Sequence, residues 1–220
     1  MKGTPLTEQT YDYIVQLFAQ DEKHLLEKMQ RRAQEASIPM IMIGVEQAKF
    51  VGVFLKAMRA KRALDVGTLF GYSAAIMSRA MGPDSSVISL EFAERHAEVA
   101  KENLHELGLS NIDIRTGPAL DHMKKLEDNS FDFIMIDADK PNYVEYLKES
   151  LRLIRPGGVI AGDNALAWGK IADLELLKSD PDYTSATAMQ AFNKVFAAEK
   201  AMFSIIVPVG DGLAMGFVEK

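Results

Sequence analysis

Two short stretches of this 220-residue chain end in clusters of oxygen-bearing side chains. "FDFIMIDADK" closes an apolar run with Asp137, Asp139 and Lys140, and "GGVIAGDN" closes another with Asp163 and Asn164. If the two runs end side by side as strands, Asp137, Asp163 and Asn164 bring two carboxylates and an amide oxygen together. Such carboxylates repel, and one is driven toward protonation unless a cation intervenes. A hard divalent ion with oxygen ligands relieves that repulsion, Mg²⁺ foremost, with Ca²⁺ or Mn²⁺ as alternatives. Three protein ligands leave room on the ion for water and a bidentate substrate. Two plainer roles stay open. Asp163 and Asn164 could cap the segment that follows them, and Asp137 could simply pair with Lys140.

A second stretch, "ALDVGTLFGYSAAI", runs from an apolar segment through Gly67 and Gly71 into small helix-forming residues. A dinucleotide fingerprint needs a glycine two places after the first, so that the backbone can approach a pyrophosphate. Leu69 stands there instead, and Asp65 precedes the turn. A carboxylate at that point repels phosphate and suits an ammonium or sulfonium group. Glu91 ends the next apolar run, "SVISLE", where it can accept hydrogen bonds from two ribose hydroxyls. A nucleoside without phosphate but with a cationic tail fits both, and S-adenosylmethionine meets that description. The alternatives are a tight turn with no ligand, and a solvated Glu91 at a helix start.

The elements that must position these residues are legible in the apolar spacing. The first 60 residues read as helices. Tyr11, Ile14, Leu17 and Phe18 are predicted to share one face, and Ala48, Val51, Leu55 and Met58 another. From Arg62 onward, short apolar runs alternate with helical segments. The predicted strands are "RALDV", "SVISL", "IDIRT", "FDFIMID" and "GGVIAGD". Ala97, Ala100, Leu104 and Leu107 mark a helix stopped by Gly108; Pro118 opens a short one, and "PNYVEYLKESLRLI" forms a longer one. A last helix carries Met189, Phe192 and Phe196. "MFSIIVPV" and "LAMGFVEK" follow, and "GDG" between them permits a hairpin. The predicted fold is α/β: one doubly wound, Rossmann-like, mostly parallel sheet with a C-terminal antiparallel hairpin and N-terminal cover helices, in a single domain over 1–220. Ligands of such sheets bind beyond the carboxyl ends of the strands, where every residue singled out above falls.

Composition narrows the partners. There is no cysteine, which excludes disulfides and thiolate metal sites. His24, His96, His105 and His122 do not stand at zinc-ligand spacing, and "GYSAA" lacks the second glycine of a serine-hydrolase elbow. The polar start and the absence of an apolar run near roughly 20 residues lead to the expectation of a cytoplasmic protein off the membrane. A net charge of −6 opposes electrostatic binding to nucleic acid. A basic patch of Lys28, Arg31, Arg32, Lys56, Arg59, Lys61 and Arg62 in the helical region keeps RNA open as an alternative.

"DVGTLFGYSA", "SLE", "GPAL", "IDADKPNY", "RPGGVIAGDN" and the closing "GDGLAMG" together resemble the cation-dependent O-methyltransferases, the family of catechol and caffeoyl-coenzyme A O-methyltransferases and their small bacterial relatives. The resemblance runs from about residue 38 to the C-terminus. It implies that Asp137, Asp163 and Asn164 ligate the metal and that Lys140 is the general base. It implies an S-adenosylmethionine site lined by Asp65, Gly67, Ser73 and Glu91, with Ala119 near the adenine and Asp137, Asp139 and Tyr146 at the methionine end. Residues 42–44 would complete the pocket, and Trp168 would stand beside the acceptor. The expected reaction is metal-dependent methylation of one hydroxyl of a catechol-like small molecule, in a homodimer. Methylation of a hydroxylated transfer-RNA base and non-catalytic cofactor binding are the alternatives.

Overall fold

The structure, a computed structural model, describes residues 6–172 and 178–219. Three helices come first: α1 (Glu8–Phe18), α2 (Gln20–Glu35) and α3 (Val45–Met58). Alternating elements follow as β1 (Arg62–Val66), α4 (Tyr72–Met81), β2 (Ser86–Glu91), α5 (Glu94–Glu106), β3 (Ile112–Thr116), α6 (Ala119–Met123) and β4 (Phe131–Ile136). The chain then forms α7 (Tyr143–Leu153), β5 (Ile154–Gly162), α8 (Tyr183–Ala198), β6 (Met202–Val207) and β7 (Leu213–Val218).

The sheet runs β3-β2-β1-β4-β5-β7-β6. The first five strands in this order are parallel, while β7 pairs antiparallel with β5 on one side and β6 on the other. Apolar side chains alternate between the faces, as a sheet covered on both sides requires. Ala63, Phe133, Met135 and Val159 face α1 to α5, whereas Leu64, Val66, Ile134 and Ile160 face α6 to α8. The chain builds β2 and β3 to one side of β1, then crosses back to lay β4 on the other. The crevice beyond the ends of β1 and β4 is the point where order reverses, the expected ligand position.

Most predicted boundaries hold within a few residues, with three corrections. In α1 the seam is Tyr11, Val15 and Ala19 at i, i+4 spacing; Leu17 and Phe18 are about 60% exposed. α1 packs mainly on α2 and α3, so a narrow stripe suffices and the wider apolar face stays in solvent. Second, β5 begins at Ile154, because "RPGG" continues the strand through an irregular register opposite Phe131–Phe133. Third, Pro118 caps α6 from outside, and its fixed φ of −58° leads into the helix. The predicted last strand reached Lys220, which lies outside the described residues.

Candidate active site

The floor of the crevice is made where β1 and β4 end. Asp137 N–H donates to Val66 O at 2.8 Å, holding the two strand ends together just beneath Gly67. Gly67 has φ +113°, and a Cβ there would stand 1.8 Å from Asp137 O. Gly71, φ +92°, precedes α4, and a Cβ on it would press on Ala100 of α5 at 3.3 Å. Both glycines therefore serve backbone contact and helix packing.

Asp65 is fully buried in β1. One carboxylate oxygen accepts the hydroxyls of Ser73 at 2.9 Å and Ser89 at 2.8 Å, and Ser89 in turn meets Thr68 at 2.6 Å. Its other oxygen is buried without a partner. Burial pushes this carboxyl up to about 7 against the opposing pull of the two hydroxyls. A buried carboxylate with an orphaned oxygen is short of positive charge, which fits the cationic end of a nucleoside ligand. Glu91 ends β2 and is nearly buried. It accepts Leu69 N–H at 2.7 Å and Ala93 N–H at 2.9 Å, and His96 Nδ1 stands 3.5 Å away. Leu69, in left-handed backbone at φ 51°, supplies one of these bonds, so the turn orients the carboxylate.

These strand ends open on a cavity of about 1070 Å³. Gly67, Ser73 and Glu91 line it from the β1 and β2 side, with Ala119 at the head of α6. Asp137, Asp139, Lys140 and Tyr146 line it from the β4 side. Asn164 and Trp168 lie on the wall after β5. Asp65 and Asp163 stand behind that wall. Met40, Ile41, Met42 and Ile43 close it from the segment before α3, two residues earlier than the predicted 42–44. Asp139 accepts Tyr146 OH at 2.6 Å and Asn142 Nδ2 at 2.5 Å, so its carboxylate is fixed at the rim.

Asp137 and Asp163 meet at adjacent strand ends, and Asn164 follows on the cavity wall. Asp163 N–H donates to Ile136 O at 2.9 Å, which puts Asp163 beside Asp137. Asp163 is 4% exposed, and burial, then the charge of Asp137, pushes its carboxyl up to about 7. Gln47 Nε2 donates to Asp163 Oδ1 at 2.5 Å. Lys140 Nζ lies 3.2 Å from Asp137 Oδ1 and 2.7 Å from the Tyr143 hydroxyl, 4.7 Å above the Tyr143 ring. The plain Asp137–Lys140 pair is thus present, within a larger arrangement. Asn164, at φ 58°, donates its Nδ2 to Asp211 at 3.2 Å. Among the described residues no three His, Cys, Asp or Glu side chains converge on one point. A cation here would rest on two carboxylates and the Asn164 amide oxygen. That all-oxygen set suits a hard ion, and the Asp163 carboxyl, raised by its neighbour, is the group an ion would relieve.

Gln47, Ser89, Tyr143 and Asp211 belong to this site but were not singled out in the sequence. Gln47 had one signal: it heads the apolar stripe of α3 one turn before Val51 and is 2% exposed. Asp211 had another, as the acid between the glycines of "GDG".

Comparison with known proteins agrees with this geometry. Residues 16–217 match a family model described as O-methyltransferase. The chain is 37% identical over 216 residues to a catechol O-methyltransferase of Niastella koreensis, covering 94% of this chain and 95% of that one. It superposes on an O-methyltransferase from Bacillus cereus in complex with SAH at TM-score 0.84 and 30% identity, covering 94% and 96% of the two chains. It also superposes on an O-methyltransferase from Streptomyces achromogenes in complex with SAM at TM-score 0.83 and 27% identity, covering 98% and 100%. This chain belongs to the O-methyltransferase family and is an S-adenosylmethionine-dependent O-methyltransferase.

Proposed function

We propose that the protein transfers a methyl group to one hydroxyl of a catechol-like small molecule with the help of a divalent cation. The observation that carries this is the buried Asp163 held beside Asp137, with Lys140 paired to Asp137 on the cavity wall. Asp137, Asp163 and the Asn164 oxygen would hold the ion. When bound, such an ion lowers the proton affinity of an acceptor hydroxyl and fixes a vicinal pair of oxygens. A phenol, with a pKa near 10, is otherwise a poor nucleophile at neutral pH.

The chain's own residues supply the rest. Asp65, through Ser73, and Glu91 would hold the methionine and ribose ends of the cofactor. Asp139 and Tyr146 would complete the methionine end, and Ala119 would pack near the adenine. Lys140, on the cavity wall, would take the proton of the acceptor hydroxyl. Met40, Ile41 and Trp168 offer the apolar walls that an aromatic ring needs. Alignment of donor and acceptor in that slot is worth on the order of 7–11 kcal/mol in favourable cases.

Transfer RNA is the weaker alternative, because part of the basic patch is neutralised. Lys28 pairs with Glu106 at 3.0 Å, Arg32 with Glu102 at 3.1 Å and Glu106 at 2.9 Å, and Arg62 stacks over Phe131 at 5.0 Å. Among the described residues no helix is long and apolar enough to cross a membrane. The decisive experiment incubates the protein with labelled cofactor, Mg²⁺ and a panel of catechols and transfer RNA. Label should enter a catechol, vanish with excess chelator and return with Mg²⁺ or Mn²⁺. Asp163→Ala should lose turnover while still binding S-adenosylmethionine. Undiminished turnover in excess chelator would reject the cation-dependent mechanism.

A further inference from the structure

The β6–β7 turn does more than reverse the chain. Asp211, at its tip, accepts Asn164 Nδ2 at 3.2 Å through Oδ2, and Trp168 N–H at 2.9 Å through both of its oxygens. Gly212 O accepts Ala165 N–H at 2.8 Å, and Asp211 O accepts Leu166 N–H at 2.9 Å, so the turn and the segment after β5 are laced together along their length. A carboxylate can only accept hydrogen bonds, which obliges the Asn164 side chain to turn its NH₂ toward Asp211. Its carbonyl oxygen is thereby turned away from Asp211, on a residue that lines the cavity. A primary amide presents a hard cation with either a good ligand or two donor hydrogens, depending on a single flip.

Resting on the cation reading above, we propose that Asp211 is a positioning residue that sets the ligating face of Asn164 and locks the Trp168 segment to the same anchor. The ion would be held by residues after β4 and β5, while the orientation of one ligand is dictated by the hairpin about 47 residues further along.

The test exchanges the pair. In Asp211→Asn, the new amide oxygen accepts Trp168 N–H and its NH₂ faces Asn164, which must flip and aim its own NH₂ at the ion. Mn²⁺ affinity, read by electron paramagnetic resonance without substrate, should fall by about tenfold to a hundredfold, the usual cost of losing such a support. The loss should persist in about 0.5 M KCl, where the missing charge alone is largely screened. Asn164→Asp combined with Asp211→Asn restores an oxygen toward the ion and a donor behind it, so affinity should return. S-adenosylhomocysteine binding, unchanged in both variants, confirms folding; if the single variant does not fold, the double variant decides. Unchanged Mn²⁺ binding in Asp211→Asn, a loss that disappears in salt, or a double variant that stays weak overturns the role of Asp211 alone. Wild-type protein that binds Mn²⁺ no better than Asp163→Ala overturns the cation reading and this inference with it.

Discussion

Asp65 shows how a single residue can be costly to the fold and useful to the site. Its carboxyl titrates near 7 in the folded chain, against an ordinary value of 3.8. The folded state therefore holds the proton more tightly than the unfolded one. Stability from this residue falls as pH rises from about 4 to about 7, then levels off. Asp65→Asn removes that fall, so urea midpoints of the cofactor-free variant should decline less between pH 5 and pH 7.5 than those of the wild type. Identical slopes would mean that the carboxyl titrates as in solution. Residues like this were legible because they sit at the ends of apolar runs, where chain order alone brings strand ends together. Gln47 and Asp211 were not. Their partners lie 116 and 47 residues away, and no local spacing encodes a hydrogen bond across that distance.

At the level of elements, the turn after β1 is dictated by its contact with the end of β4. Gly67→Ala would drive a methyl into Asp137 O, in a backbone conformation that alanine rarely adopts. The expected cost is about 3 kcal/mol or more, seen as a lower urea midpoint, together with weaker Mn²⁺ binding because Asp137 is displaced. A variant as stable as the wild type would show that the two strand ends are not locked. The alternating strands and helices were readable from Arg62 onward, since β1, β2, β4 and β5 carry near-continuous apolar runs, while β3 at the sheet edge alternates Ile112 and Ile114 with Asp113 and Arg115. The antiparallel hairpin was readable from "GDG". Its insertion beside β5, with β6 outermost, was not, because the hairpin alone does not say which of its strands meets the sheet. The face of α1 was misjudged for a related reason: a helix packed mainly on other helices needs fewer apolar residues than this one carries.

Across the whole molecule, charge and apolar surface divide the possible partners. The net charge of −6 and the ion pairs on α2 weigh against the transfer-RNA alternative. The sheet ends on β6, where Phe203 and Ile205 are 77% and 65% exposed, with Phe217 beside them on β7. We propose that this open apolar edge pairs with a second copy of the chain. Ile205→Asp should shift sedimentation from two chains toward one while the secondary structure stays intact; a wild-type protein that sediments as one chain would exclude the pairing. Trp168 carries one more consequence. It is the sole indole in the sequence, stands about half exposed at the mouth of the cavity, and is tethered through its backbone to Asp211. The enzyme thus contains its own optical gauge: light emitted from a wet indole should move to shorter wavelength when an aromatic guest slides against it, and need no added dye.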